Sequence, residues 1–259
     1  MGETPQQWKS SERHYTLTSS TFTKRELRQD ELPTSIYTGQ VVEPRWSRER
    51  LRNEAATLQF IASKTTIPVP QFLGLYEADG LLYLATKRAS GVPLDKISGP
   101  QASSTINRVD EYMNEVVLPQ LRDLRRRTTG SVDDSLPVIP PSRVTYRDKR
   151  SHWAQKFRRD EELVFCHNDL GQQNIMVDPD TFDITAIIDW EFAGFFPPEF
   201  ELALWKHHWS QTKDDAQTDR LIQILDSYDE QNVTSNVMEP TSTGFKSTVP
   251  MDDSCEPGL

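Results

Sequence analysis

Apolar positions recur along this chain in two periods, and the switch between them predicts where helices give way to strands. Leu51, Ala55, Leu58, Ile61 and Ala62 stand at helical spacing, which predicts a helix over residues 48–63 with Ser47 as its N-cap. Pro68 and Pro70 stop it. Two apolar runs at 72–77 and 81–86 follow, joined by Asp79-Gly80; this pair predicts a hairpin, because glycine accepts the positive φ of a tight turn. Residues 104–127 predict a long amphipathic helix, with Ile106, Val109, Met113, Val117 and Leu121 on one side and a basic last turn. Residues 128–151 hold Gly130, Pro137, Pro140 and Pro141 without periodicity and read as a long loop, placed to help shape an acceptor site. Trp153 and Phe157 anchor a short predicted helix. Three short apolar runs at 163–166, 175–177 and 184–188 read as strands, and a last helix is expected around 221–225.

Outside this stretch the pattern fades. Residues 1–34 mix Ser, Thr, Gln and charge and are expected to be mostly an extended or disordered arm. Leu27, Leu32, Ile36, Tyr37, Val41 and Val42 offer short strands at most, and residues 229–259 are expected to be a disordered tail. Composition narrows the function classes. The 259 residues carry 39 acidic and 29 basic side chains, a net charge of −10, which gives no support to a nucleic-acid-binding surface. No apolar run approaches the ~20 residues that span a bilayer, so no membrane partner is expected. The two cysteines define no disulfide framework, and a cytoplasmic location is the expectation. Oligomeric state is left open.

The densest chemistry lies between residues 163 and 191. An apolar strand delivers a polar loop carrying His167, Asp169 and Asn174, and a later apolar run ends on Asp189. Phosphoryl transfer needs a carboxylate facing the nucleophilic hydroxyl and oxygen ligands facing a magnesium ion. Asp169 is the candidate for the first role, and Asn174 and Asp189 for the second. His167 is expected to fix the loop, with a general-base role less well matched. Asn174 and Asp189 are equidistant from the midpoint of Thr181 and Phe182, so a symmetric hairpin would make them directly opposed partners on one face. A one-residue slip would part them. Solvated Asp and Asn beside a turn are the plainer reading of each residue taken singly, but the ordered combination is much rarer by chance.

The segments 167–174, His-Asn-Asp-Leu-Gly-Gln-Gln-Asn, and 187–191, Ile-Ile-Asp-Trp-Glu, resemble the catalytic loop and metal-binding segment of the aminoglycoside phosphotransferase and choline kinase superfamily. The resemblance implies an α+β, two-lobed protein-kinase-like fold with a reduced N-terminal lobe, at 35–90 with its hinge, and a mainly helical C-terminal catalytic lobe at 91–228. It further implies ATP and Mg2+ as cofactors and a small-molecule alcohol as acceptor. Glu54 would be the helix glutamate that pairs with a strand lysine, the alternative being a surface Glu paired with Arg50. Lys87, Arg88 and Ala89 would form the hinge that receives the adenine, with Gly91 as a flexible exit. Glu199 and Glu201 are possible buttresses of the catalytic loop, although a helix dipole explains them as well.

The sequence departs from that pattern at the nucleotide side. Gly2 and Gly39 are the only glycines before the first helix, and no Lys stands between Lys24 and Glu54. Arg45 is the nearest cation to the expected lysine position, with Lys24 a more remote candidate. An active kinase, a catalytically weak or inactive pseudokinase that binds a ligand or partner, and a chain lacking its first strands are the three readings this leaves. The complete set Asp169, Asn174 and Asp189 favours the first.

Overall fold

The structure is a computed structural model that describes residues 4–157, 159 and 162–230. Three strands open it: β1 (Gln6–Lys9), β2 (His14–Leu17) and β3 (Thr21–Arg25). The expected arm at 1–34 is therefore corrected, and the N-terminal lobe begins well before residue 35. The cause is a sheet with a half-covered face. Trp8, Tyr15, Phe22 and Lys24 share one side by strand alternation, with Thr and Gln between them, so no apolar run marks the strands.

Helix α1 (Ser47–Lys64) follows, and then the hairpin β4 (Phe72–Ala78) and β5 (Leu81–Lys87). Asp79 at φ 53 and Gly80 at φ 75 form the anticipated tight turn. The five strands make one antiparallel sheet in the order β1-β2-β3-β5-β4. Leu51 and Ala55 of α1 pack on Leu82 and Leu84 of the sheet. Ser47 is the first residue of the helix and not its N-cap; Trp46 holds that position in left-handed backbone, φ 51.

The other end of α1 is rooted in the second lobe. Leu58 and Ile61 belong to a core that also takes in Met113, Leu121, Phe165, Ile175, Ile187 and Trp190. Strand β6 (Val92–Pro93) leads into this lobe. Gly91, expected as a flexible exit, is instead a close-contact residue at φ 87, where a Cβ would sit 2.3 Å from the Val177 carbonyl oxygen. The single predicted helix over 104–127 is one continuous helical run over 102–123, in which α2 (Ala102–Tyr112) passes through a π-turn at Met113–Val117 into α3 (Leu118–Asp123). Pro119 has no N–H to continue the α pattern, and the extra residue of the π-turn accommodates it. The basic residues beyond are strand β7 (Arg125–Arg126), paired with β9.

The long loop at 128–151 contains one short helix, α4 (Ser142–Arg147). The short helix expected from Trp153 and Phe157 is absent from the described residues; β8 (Lys156–Phe157) stands there. Strand β9 (Leu163–Cys166) is followed by β10 (Ile175–Val177), β11 (Ile184–Ile187) and β12 (Gly194–Phe196). β9 lies between β7 and β12, and β10 between β6 and β11. Helix α5 (Asp215–Asp226) is capped by the Asp214 carboxylate, which accepts from the Gln217 N–H at 2.9 Å, and β13 (Asp229–Glu230) closes back on β8. The remainder of the expected tail lies outside the described residues. The α+β, two-lobed expectation holds, with a fuller N-terminal sheet than the word reduced implied. Among the described residues no helix is long and apolar enough to cross a membrane.

Candidate active site

All four side chains of β9 are buried, and the strand drives the following loop into the cleft between the lobes. At the turn, Asn168 takes left-handed backbone, φ 70, and its side-chain N–H2 donates to the Phe192 carbonyl at 2.8 Å. His167 is completely buried and packs on Trp190, ring centroids 4.4 Å apart. Its Nδ1 accepts from the Asp169 N–H at 3.2 Å, so the ring proton is on Nε2, 3.0 Å from the Ile188 carbonyl it donates to. Burial pulls its pKa down to about 4, so the imidazole is neutral. With both nitrogens engaged, His167 ties the loop to the segment before Asp189.

The loop amide of His167 donates to the Glu201 carboxylate. Glu201 therefore braces the 167–174 loop directly, and the helix-dipole alternative does not describe it. Burial pushes its pKa up to about 7, against the amides of His167 and Asn168 and the Arg143 charge. A carboxyl raised above its unfolded value costs stability in its ionised form. The protein is thus expected to lose this group's share of stability as pH rises from about 4.5 to about 7. Glu201→Gln should flatten that part of the pH–stability profile relative to the parent, measured by thermal unfolding; parallel profiles would refute the assignment.

Asp169 is half-buried, and its backbone and side-chain oxygens accept from the Asn174 amide at 2.8 and 3.0 Å. Burial, then the charge of Asp189, raises its pKa to about 7, with Arg143 and Asn174 opposing. The Arg143 guanidinium is 4.0 Å from Asp169 and donates to the Asn168 carbonyl at 2.8 Å. Arg143 comes from the long loop, and nothing in its sequence spacing singled it out.

The symmetric-hairpin expectation is corrected. Ile175 pairs with Ile187 and the Ile188 N–H donates to the Asn174 carbonyl at 2.9 Å, so Asn174 stands opposite Ile188 and not Asp189. Val177 pairs with Ile184, so the turn centres between Asp180 and Thr181, one residue before the assumed midpoint, and the extra residue on β11, Thr185, between the Met176 and Val177 pairs makes up only part of that offset. The loss of a shared face does not follow, because β11 ends at Ile187 and Asp189 takes left-handed backbone, φ 66. Its carboxylate is close enough to Asp169 to be felt there, and one oxygen accepts from the Lys24 ammonium at 2.6 Å.

Lys24, on β3, is the strand lysine that meets Glu54. Its ammonium sits 2.8 Å from both oxygens of the buried Glu54 as well as on Asp189. Burial alone would discharge it, but Asp189 and Glu54 hold its pKa well above the usual lysine range. Glu54 is accordingly not a surface residue paired with Arg50. Arg45 is corrected: its guanidinium lies 3.9 Å over the Trp46 ring and donates to the Arg150 carbonyl, and Lys24 takes the place proposed for it. Lys87 and Ala89 lie at the exit of β5, where the Lys87 N–H donates to Gln71 and the Arg88 N–H to Ser20. On the Lys24 face of the sheet, Trp8 stacks on Tyr15 at 5.3 Å and Tyr15 on Phe22 at 5.8 Å.

Behind Asp189 lies Glu191, which forms an acidic group with Glu54 and Asp189 whose nearest oxygens are within 4.8 Å of one another. Arg13, Arg50 and Lys24 surround it, and they hold the pKa of Glu191 down at about 2 in spite of burial.

Known proteins resemble this chain in sequence and in fold. A streptomycin 3''-kinase from Streptomyces griseus is 25% identical over 157 residues, which is 53% of this chain and 58% of the relative. A probable choline kinase 3 from Arabidopsis thaliana is 45% identical over 49 residues, 19% of this chain and 14% of the relative. Both alignments span less than two thirds of the relative's length. Among solved structures, the aminoglycoside phosphotransferase APH(3'')-Id from Streptomyces rimosus superposes with a TM-score of 0.50 at 16% identity, covering 85% of this chain and 84% of its own. That likeness speaks for the fold alone. The model of the phosphotransferase enzyme family matches residues 37–232, and the chain belongs to that family.

Proposed function

We propose that the protein transfers the terminal phosphoryl group of ATP to a hydroxyl of a small polar molecule. The observation that carries this reading is the convergence of Lys24, Glu54 and Asp189 with the Asp169–Asn174 pair in one cleft. A lysine held by two carboxylates is a fixed positive charge beside a metal-binding carboxylate, which suits the phosphates of a nucleotide. The Trp8, Tyr15 and Phe22 face next to Lys24 offers an aromatic surface for the base.

Asp169 orients the acceptor hydroxyl and takes its proton as the oxygen attacks phosphorus. Its raised pKa makes it a competent proton acceptor near neutrality. Asn174 fixes the carboxylate through its amide nitrogen, and His167 and Glu201 hold the loop in place. Asp189 and the Asn174 amide oxygen are hard oxygen donors suited to magnesium, which when bound would neutralise charge on the phosphates. The donor set fits: the Asn174 amide nitrogen is committed to Asp169, and Asp189 keeps a third of its side chain open to the cleft.

Thermal unfolding with and without MgATP tests the reading. Ligand at a hundredfold excess over Kd stabilises by about 2.7 kcal/mol, which for a chain of this size is roughly a 5–10 °C rise in Tm. No shift at millimolar MgATP, in a protein that unfolds cooperatively, would refute nucleotide binding. A screen of small alcohols for stimulated ATP consumption then separates a kinase from a protein that only binds.

A further inference from the structure

The β1–β2 loop, residues 10–13, carries Ser-Ser-Glu-Arg where a phosphate-covering loop would carry glycines. Its two charged residues reach down to opposite partners. Arg13 is 1% exposed, and its guanidinium is 3.3 Å from the Glu191 carboxylate and donates to the Ser47 carbonyl, at the start of α1, at 2.7 Å. Glu12 accepts from Arg50 of α1 at 2.6 Å, and Arg50 also pairs with the other oxygen of Glu191. One chain of alternating charge thus joins the β1–β2 loop, α1 and the segment two residues beyond Asp189.

We infer that the Glu12–Arg50–Glu191–Arg13 network is an inter-lobe latch, and that Glu191 is a positioning residue which holds the β1–β2 loop and α1 on the Asp189 segment. A flexible glycine loop is ordered when nucleotide arrives. Here the order is built in by buried ion pairs, and α1, with Glu54 one turn beyond Arg50, is fixed in the register that presents Lys24 to Asp189. The rival assignment is that Glu191 ligates a metal together with Glu54 and Asp189, which their spacing alone would allow. Its oxygens argue otherwise, since Oε1 is taken by Arg50 and Oε2 by Arg13. Moreover, Asn53 donates to the Glu191 carbonyl at 3.0 Å, so the residue is held to α1 by its backbone too. Removing one partner of such a network leaves a buried charge uncompensated, so the loop and helix should loosen together.

The binding arm of the test rests on the nucleotide reading above; the exchange arm does not. Hydrogen exchange of Arg13→Met, Glu191→Gln and the surface variant Glu12→Gln is compared with the parent, together with calorimetric affinity for ADP in the presence and absence of Mg2+, well below Tm. Glu12 is 47% exposed at its side chain, so Glu12→Gln folds even if the buried changes do not. The latch predicts faster exchange in residues 6–17 and 47–60 together in every folded variant. It also predicts about tenfold weaker ADP binding for the Arg13 and Glu191 variants, with or without Mg2+, and a double variant no worse than the worse single one. Exchange unchanged in either segment overturns the latch. Loss confined to the Mg2+-containing titration for Glu191→Gln would instead make Glu191 a metal ligand, and additive single effects would show that the pair does not act as one unit. If ADP binds none of the proteins, including the parent, while exchange behaves as stated, the nucleotide reading fails and the latch stands.

Discussion

Asp169→Asn is expected to reduce turnover by about 10²- to 10⁴-fold, the usual contribution of a positioned general base, while leaving nucleotide affinity within about twofold. The substitution keeps the side chain's size and its capacity to accept from the Asn174 amide, so the loop geometry that rests on this contact is retained. What it removes is the oxygen that takes the proton. The nucleotide-side groups, Lys24, Glu54 and Asp189, do not contact the Asp169 carboxylate by hydrogen bond and should be unaffected. Turnover measured with an acceptor from the alcohol screen, and binding by calorimetry, separate the two quantities. Retained turnover would sink the base assignment; lost binding with it would mean that Asp169 holds the cleft together and does no chemistry.

The Asp169 half of this candidate site was legible in the sequence because its residues are local. His167, Asp169 and Asn174 fall within eight positions of one loop, flanked by apolar runs that announce buried strands. The helical spacing of α1 placed Glu54 on a helix, but its partner was left open between a strand lysine, implied by the resemblance, and Arg50. The nucleotide half depends on pairings between distant segments. Lys24 meets Glu54 across 30 residues and Asp189 across 165, and no pattern along the chain encodes either contact. Its strand was also hard to see. Thr21–Arg25 alternates Thr and charge with one Phe, because the face carrying Phe22 and Lys24, shared with Leu82 and Leu84, meets both α1 and the cleft, and the opposite face carries Thr21 and Thr23.

Arg45 was attractive for its position in sequence relative to α1, yet sequence proximity is a poor guide when the chain between β3 and α1 turns through an irregular loop. The hairpin register failed for a different reason. The turn centres between Asp180 and Thr181 and not one residue later, and the bulge at Thr185 offsets only part of that difference; neither leaves a signature in composition. Arg13 and Arg143 are the residues that sequence reasoning passed over altogether. Each looks like an ordinary polar loop residue, and each becomes notable only when the fold brings it to a carboxylate.

Asp189→Ala should remove the Mg2+-dependent part of nucleotide binding, weakening affinity in Mg2+ by at least about tenfold. Two effects are mixed in that variant. Alanine loses the carboxylate, and it also pays about 1 kcal/mol or more to sit at φ 66, where Asp is tolerated better. Asp189→Asn separates them, because Asn accepts left-handed backbone and keeps an oxygen, but carries no charge for either the metal or the Lys24 ammonium. The expected pattern is a normal Tm for the Asn variant, a lowered Tm for the Ala variant, and loss of the Mg2+ dependence in both. Lys24 should remain on Glu54 in each, held by two contacts of 2.8 Å, so residual metal-free binding of nucleotide is expected to persist. If calorimetry shows the same gain in affinity on adding Mg2+ to either variant as to the parent, Asp189 is not a metal ligand, and its place beside Lys24 serves to join the lobes.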